Sequence, residues 1–134
     1  MVPTRTRTKE SHSGLTLVVA AAIAVAPAAV SAKRAAPHAV PPVTYAGIRY
    51  VFPHFANENG TAQNGGVVQA RDAKSDALLW TLKVYEVNHK PGMETDVQDV
   101  FITSARIEKG LLVITNERNE TYEIDLAKRL VRRR

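Results

Sequence analysis

The residues best suited to chemistry in this chain are two histidines and a nearby group of acids. His54 and His89 lie in the body of the sequence, and Glu94, Asp96 and Asp99 follow His89 within ten residues. Carboxylates grouped in this way could supply oxygen ligands to a hard cation such as calcium, and histidines with a carboxylate could hold zinc. These five residues are the basis for reading the chain as a small exported hydrolase or metal-dependent enzyme. Their spacing speaks against it. The acids lack the central glycine and terminal glutamate of an EF-hand loop, and no H-E-x-x-H pattern joins the histidines. No G-x-S-x-G step presents a serine. The chain has no cysteine, which removes thiolate nucleophiles, Cys-ligated zinc and disulfides. Glu108, Glu117, Glu120 and Glu123 are further carboxylates for acid–base work, but Glu117 and Glu120 flank a tight turn, where solvated charge is ordinary. No catalytic residue, metal ligand or cofactor is therefore assigned, and an enzyme is the secondary reading.

The elements that would position these residues read as strands. Ile48–Phe52 is a first strand, stopped by Pro53, and residues 56–66 form a polar loop with two Asn-Gly steps and a Gly-Gly. Val67–Asp72 is a second strand, and residues 74–76 make a turn. Leu78–Val87 is a third strand, with Leu78, Trp80, Leu82 and Val84 on one face. After a loop over 88–96 come strands at Val97–Ile107, Leu111–Thr115 and Thr121–Leu126, separated by turns at Lys109-Gly110 and Arg118-Asn119. The last stretch, LAKRLVRRR, is read as a turn or a strand. Turn chemistry at this spacing predicts an all-β antiparallel meander of about six strands.

The N-terminus has the order of an export signal. Arg5, Arg7 and Lys9 precede an uncharged apolar run from Gly14 to Val30, and Val30-Ser31-Ala32 offers small residues for cleavage after Ala32. Residues 1–32 are therefore predicted to be a signal peptide with an apolar helix. An uncleaved membrane anchor is the alternative, although the run is short of a span and interrupted by Pro27. Residues 33–42 are a Pro/Ala-rich linker, 43–127 the β-domain and 128–134 a basic tail. The expected location is periplasmic or secreted.

The net charge of +5 resides at the ends. Between residues 35 and 127 there are eight basic and twelve acidic residues, so the body is acidic. A nucleic-acid binder would carry its positive charge on the folded face, and none is expected here. Membrane contact would come only through the leader or the tail, where each basic residue contributes about 1 kcal/mol near an anionic surface.

Residues 70–80, running from Ala70 through Asp72 and Ser75 to Trp80, resemble the A-x-D-x-x-T-G-x-x-x-W repeat of the pyrroloquinoline-quinone-type β-propellers. Ser75 replaces the threonine and Asp76 the glycine. A second, degraded copy over residues 111–126 keeps Tyr122 and Asp125, and the two aspartates are 53 residues apart. The resemblance implies a blade-like sheet in which the aspartates cap turns and Trp80 packs sheet against sheet. Six strands would make about one and a half blades, as a curled sheet or small barrel. The quinone site belongs to a complete propeller, so no cofactor is implied.

Together these features predict an exported cell-envelope protein of non-enzymatic binding or structural type, with an envelope protein as partner or a homo-oligomer. Exposed strand edges and Tyr45, Tyr50 and Tyr85 are the expected contact points. Asn59-Gly60-Thr61 and Asn119-Glu120-Thr121 match the N-glycosylation sequon.

Overall fold

Two hairpin turns of identical geometry set the architecture. Ala46 and Gly47 both take positive φ (51° and 77°), as do Lys109 and Gly110 (50° and 77°). Two successive left-handed residues make the type I′ turn, whose twist matches that of paired strands. The first joins β1 (Val43–Tyr45) to β2 (Ile48–Val51), and the second joins β5 (Ile102–Glu108) to β6 (Leu111–Asn116). The computed structural model describes residues 35–134, which fall within one compact unit. The expected signal peptide, its helix and its cleavage site lie outside the described residues.

Each hairpin grows by two more antiparallel strands. β3 (Val67–Asp72) and β4 (Leu78–Lys83) complete a sheet in the order β1-β2-β3-β4, and β7 (Thr121–Asp125) and β8 (Leu130–Arg133) complete a second in the order β5-β6-β7-β8. The expectation of about six strands in one sheet, curled or closed as a blade and a half or a small barrel, is overturned by this division. Among the described residues there are eight strands in two open sheets of four. Two segments account for the difference. Val43–Tyr45, at the linker boundary, is returned against β2 by the Ala46-Gly47 turn. Leu130–Arg133, inside the basic tail, pairs with β7 in register Asp125↔Leu130 through Tyr122↔Arg133. The tail can sit on the sheet because carboxylates of β5 and β7 neutralise it.

The expected third and fourth strands are each shorter than the sequence suggests. The chain leaves β4 after Lys83 and does not rejoin a sheet until Ile102. In between, Tyr85 turns inward and its hydroxyl donates to the Val100 carbonyl at 2.6 Å, so the segment packs by side chain instead of pairing. Leu78 also departs from the expected face. The register shifts between Ala70↔Trp80 and Arg71↔Leu78, which leaves Leu79 as an extra, bulged residue. The bulge puts Leu78 opposite Arg71, away from Trp80 and Leu82, and Leu78 is half exposed.

The core forms between the inner faces. Tyr50, Val68 and Ala70 from one sheet join Ile102, Leu112, Ile114, Tyr122 and Ile124 from the other in one buried cluster, with Phe52 beyond β2. The outer faces are covered differently. Val67 is fully buried beneath the helical turn α1 (Ala56–Asn59), and Gln69 donates to the Glu58 carbonyl at 3.3 Å. Val113 is fully buried beneath a chain of charged side chains. Arg106 and Arg134 bind Glu108, and Arg134 and Arg132 bind Glu123, at 2.6 to 3.1 Å.

Candidate functional site

The acidic group does not stay together. Gln98 ties its own loop, accepting from Lys90 N at 2.5 Å and donating to the carbonyls of Lys90, Met93 and Glu94. This leaves Glu94 exposed, while Asp96 accepts from the amide of Val97. Asp99 turns inward instead. Its carboxylate is buried, meeting His89 Nε2 at 3.0 Å through Oδ1 and Asn64 Nδ2 at 3.0 Å through Oδ2. Asn64 also accepts from Ala56 N at 2.8 Å. The group therefore acts as a clasp between the two long loops.

His54 belongs to a different environment. Its Nε2 lies 3.2 Å from the carbonyl of His38, and its ring packs edge-on against Phe101 with centroids 5.0 Å apart. The two histidines thus bind separate partners. Among the described residues, no group of three His, Asp or Glu side chains could hold a metal ion. The metal-dependent enzyme expected from His54, His89, Glu94, Asp96 and Asp99 is overturned by that finding. Burial supplies the reason: Asp99 and His54 spend their polar atoms on holding loops.

The first sequon is also structural. Asn59 is fully buried, its Oδ1 accepting from Thr61 N and Oγ1 at 2.8 and 2.7 Å, and its Nδ2 donating to Gln63 O at 2.9 Å. Gln63 in turn donates to Gly65 O and Tyr85 O, both at 3.0 Å, and accepts from Val87 N at 2.8 Å. Asn119 is exposed at the β6–β7 turn with φ 58°. Nothing in the bare N-x-T pattern separates these two asparagines; burial does.

The two aspartates singled out in the sequence sit in equivalent turns. Asp72 Oδ1 accepts from Lys74 N and Ser75 N at 2.9 and 2.8 Å, and Asp125 Oδ1 accepts from Ala127 N and Lys128 N at 3.0 and 2.9 Å. Four residues after each aspartate, Asp76 and Arg129 take positive φ. The amides of Ser75 and Lys74, followed by the Ser75 hydroxyl, hold the Asp72 carboxyl below its ordinary value. Ala70 is buried beside Tyr50, to which it is paired across β2 and β3. Trp80 packs its ring 5.9 Å from that of Tyr50, and the Arg129 guanidinium lies over it at 5.2 Å from the β7–β8 turn. Tyr122 stacks on Tyr85 at 5.2 Å.

Of the three tyrosines expected at a contact surface, Tyr45 alone is exposed. Tyr50 is buried, which raises its hydroxyl pKa. Tyr85 is spent on Val100 and Tyr122, and burial, then Tyr122, push its hydroxyl well above the ordinary tyrosine range. Tyr45 lines a cavity of about 340 Å3 with Ile48, Tyr50, Leu111, Asp125 and Leu126. A second cavity of about 540 Å3 shares Leu111 and Asp125 and extends to Leu130 and Arg132.

The sheets approach one another along β1 and β5, where Tyr45 comes close to Gly110. Among the described residues all four outer strands, β1, β4, β5 and β8, have a hydrogen-bonded neighbour on one side alone, and β4 and β8 are the two that lie away from the β1–β5 approach. They differ in character. β8 carries Arg132 and Arg133, paired with Glu123 and Glu120 at 2.6 and 2.7 Å. β4 carries one charge, Lys83, with Leu78 and Leu79 half exposed.

No family model matches the chain, and no curated protein is similar to it at a significant level. The blade resemblance thus rests on its few residues alone, and the six-strand count on which the blade-and-a-half description depended is replaced by two open four-stranded sheets. The description of the chain as an envelope protein built on such a blade loses its basis with it.

Proposed function

We propose that this domain binds protein by taking up an extended segment of another polypeptide along the free edge of β4. The contrast between the β4 and β8 edges carries this reading. Charged side chains on an edge strand discourage pairing with another chain, and β8 has a run of arginines. β4 has one lysine in six residues and exposed leucines beside an open row of backbone groups.

The direction of those groups follows from one bond. Val84 N donates to Gly66 O at 2.7 Å, across to the β3 side. Alternation along an antiparallel strand then turns the backbone of Leu82 and Trp80 towards β3 and that of Thr81 and Lys83 outward. An added strand would bond to Thr81 and Lys83 and cover the half-buried side chains of Trp80 and Leu82. The bulge at Leu79 bounds the ladder at its other end. A location outside the cytoplasm belongs to the same reading, supported by the charged, apolar and small-residue order of residues 1–32.

The test is a photo-crosslinking side chain at Lys83 in the full-length chain, with Arg133 on the β8 edge as comparison. Capture at Lys83 is expected, together with its loss in Thr81→Pro, which removes an outward N–H and leaves the β3 ladder intact. Equal capture at Arg133, or capture indifferent to Thr81→Pro, would sink the reading.

A further inference from the structure

Resting on that reading of the β4 edge, we infer that the polypeptide it takes up is a second copy of this chain, β4 pairing antiparallel with β4 about a two-fold axis through Thr81. The strand is complementary to itself. A two-fold perpendicular to the sheet keeps inner face against inner face, so it must pass through a residue and not between two. Centred on Thr81, it sets Thr81 opposite itself, Trp80 opposite Leu82 of the second copy, and Leu79 opposite Lys83 of the second copy. Apolar side chains meet on the inner face, threonines meet on the outer face, and no like charges face each other.

The neighbouring registers are poorer. A centre at Lys83 sets lysine opposite lysine. A centre at Trp80 opposes two indoles and runs the ladder past the bulge at Leu79. A centre at Leu82 carries it beyond the end of the strand at Lys83. Self-pairing of β8 fails on charge: a centre at Val131 opposes Arg129 to Arg133, and one at Arg132 opposes that residue to itself. The pairing would join the two β1–β4 sheets into one sheet of eight strands. The ladder is short, so the dimer is expected at the weak end of protein association.

The absence of cysteine makes the geometry directly readable. In the full-length chain, Thr81→Cys places two thiols on the axis, with Cα atoms about 5.5 Å apart in a hydrogen-bonded pair, inside the range a disulfide bridges. Lys83→Cys places its two thiols about four residues apart along the strand, roughly 13 Å, too far to bridge. Mild oxidation is expected to link Thr81→Cys into a covalent dimer and to leave Lys83→Cys unlinked. Sedimentation equilibrium of the unsubstituted chain is expected to show monomer and dimer, with Thr81→Pro weakening association about tenfold or more through loss of two symmetric backbone bonds. Linking of Lys83→Cys as fast as Thr81→Cys, or a monomer at every soluble concentration, overturns the inference. A monomer whose Lys83 position still captures another polypeptide in a Thr81→Pro-sensitive way overturns the second copy and leaves strand uptake standing. Loss of both overturns both.

Discussion

Arg134 crosses the outer face of the β5–β8 sheet to donate from Nε to Glu123 Oε1 at 2.6 Å. Its Nη2 continues to Glu108 Oε1 at 3.0 Å, and Arg132 occupies the other Glu123 oxygen at 2.6 Å. The hydrogen bond from Arg134, then that from Arg132, holds the Glu123 carboxyl below the ordinary glutamate range, and Arg134 followed by Arg106 does the same for Glu108.

A depressed carboxylate stabilises the folded state once pH exceeds its unfolded value, about 4.3 for glutamate. That contribution fades as pH falls from there through the lower folded value. Melting temperature is therefore expected to drop below about pH 4.3 more steeply in the parent than in Glu123→Gln, with the two profiles converging in acid. Parallel profiles would show that the Glu123 ion pairs contribute nothing.

Removing Asn59 strips a buried network of its centre. Asn59→Ala leaves Thr61 N without its side-chain acceptor and takes from Gln63 O one of its two side-chain donors, and an unsatisfied buried group costs about 1–3 kcal/mol. Denaturant unfolding should report a loss of that size. In a glycosylating host the parent should gain no sugar at Asn59, because its amide is sealed inside the domain. A glycopeptide containing Asn59 would contradict the burial.

The turn role of Asp125 separates by chemistry. Asp125→Ala deletes the acceptor for Ala127 N and Lys128 N, whereas Asp125→Asn retains a carbonyl oxygen at the same place. A lower melting temperature in the alanine variant, largely recovered in the asparagine variant, is expected. Equal losses in both would assign the effect to charge.

Gly66 has φ 68°, and a Cβ there would lie 2.8 Å from the Tyr85 ring. Gly66→Ala should destabilise the domain by more than 1 kcal/mol or so, combining left-handed strain with a displaced aromatic ring. Near-UV circular dichroism, which reads the Tyr85–Tyr122 stack, should change with it.

The repeating part of this fold was readable because its chemistry is local. Lys109-Gly110 and the alternation in Val67–Asp72 and Leu111–Asn116 declare a turn and strands within a few residues. β1 was harder because nothing local marks it, and β8 was legible only as one of two alternatives, a turn or a strand. Val43–Tyr45 follows a proline-rich linker, and Leu130–Arg133 looks like a solvated tail until its arginines meet Glu120 and Glu123 across the sheet. The site was harder still. Asp99 beside Glu94 and Asp96 reads as an acidic loop, and its partners Asn64 and His89 lie 35 and 10 residues away. The open edge of β4 is a property of what, among the described residues, does not lie beside it, which no side-chain pattern encodes.

Every strand pairing in both sheets joins elements consecutive along the chain. The loop entropy paid before each ladder forms is correspondingly small, and folding rate among small domains rises as contacts become more local. This protein should therefore fold quickly for an all-β domain, each sheet zipping outward from its type I′ hairpin before the two inner faces meet.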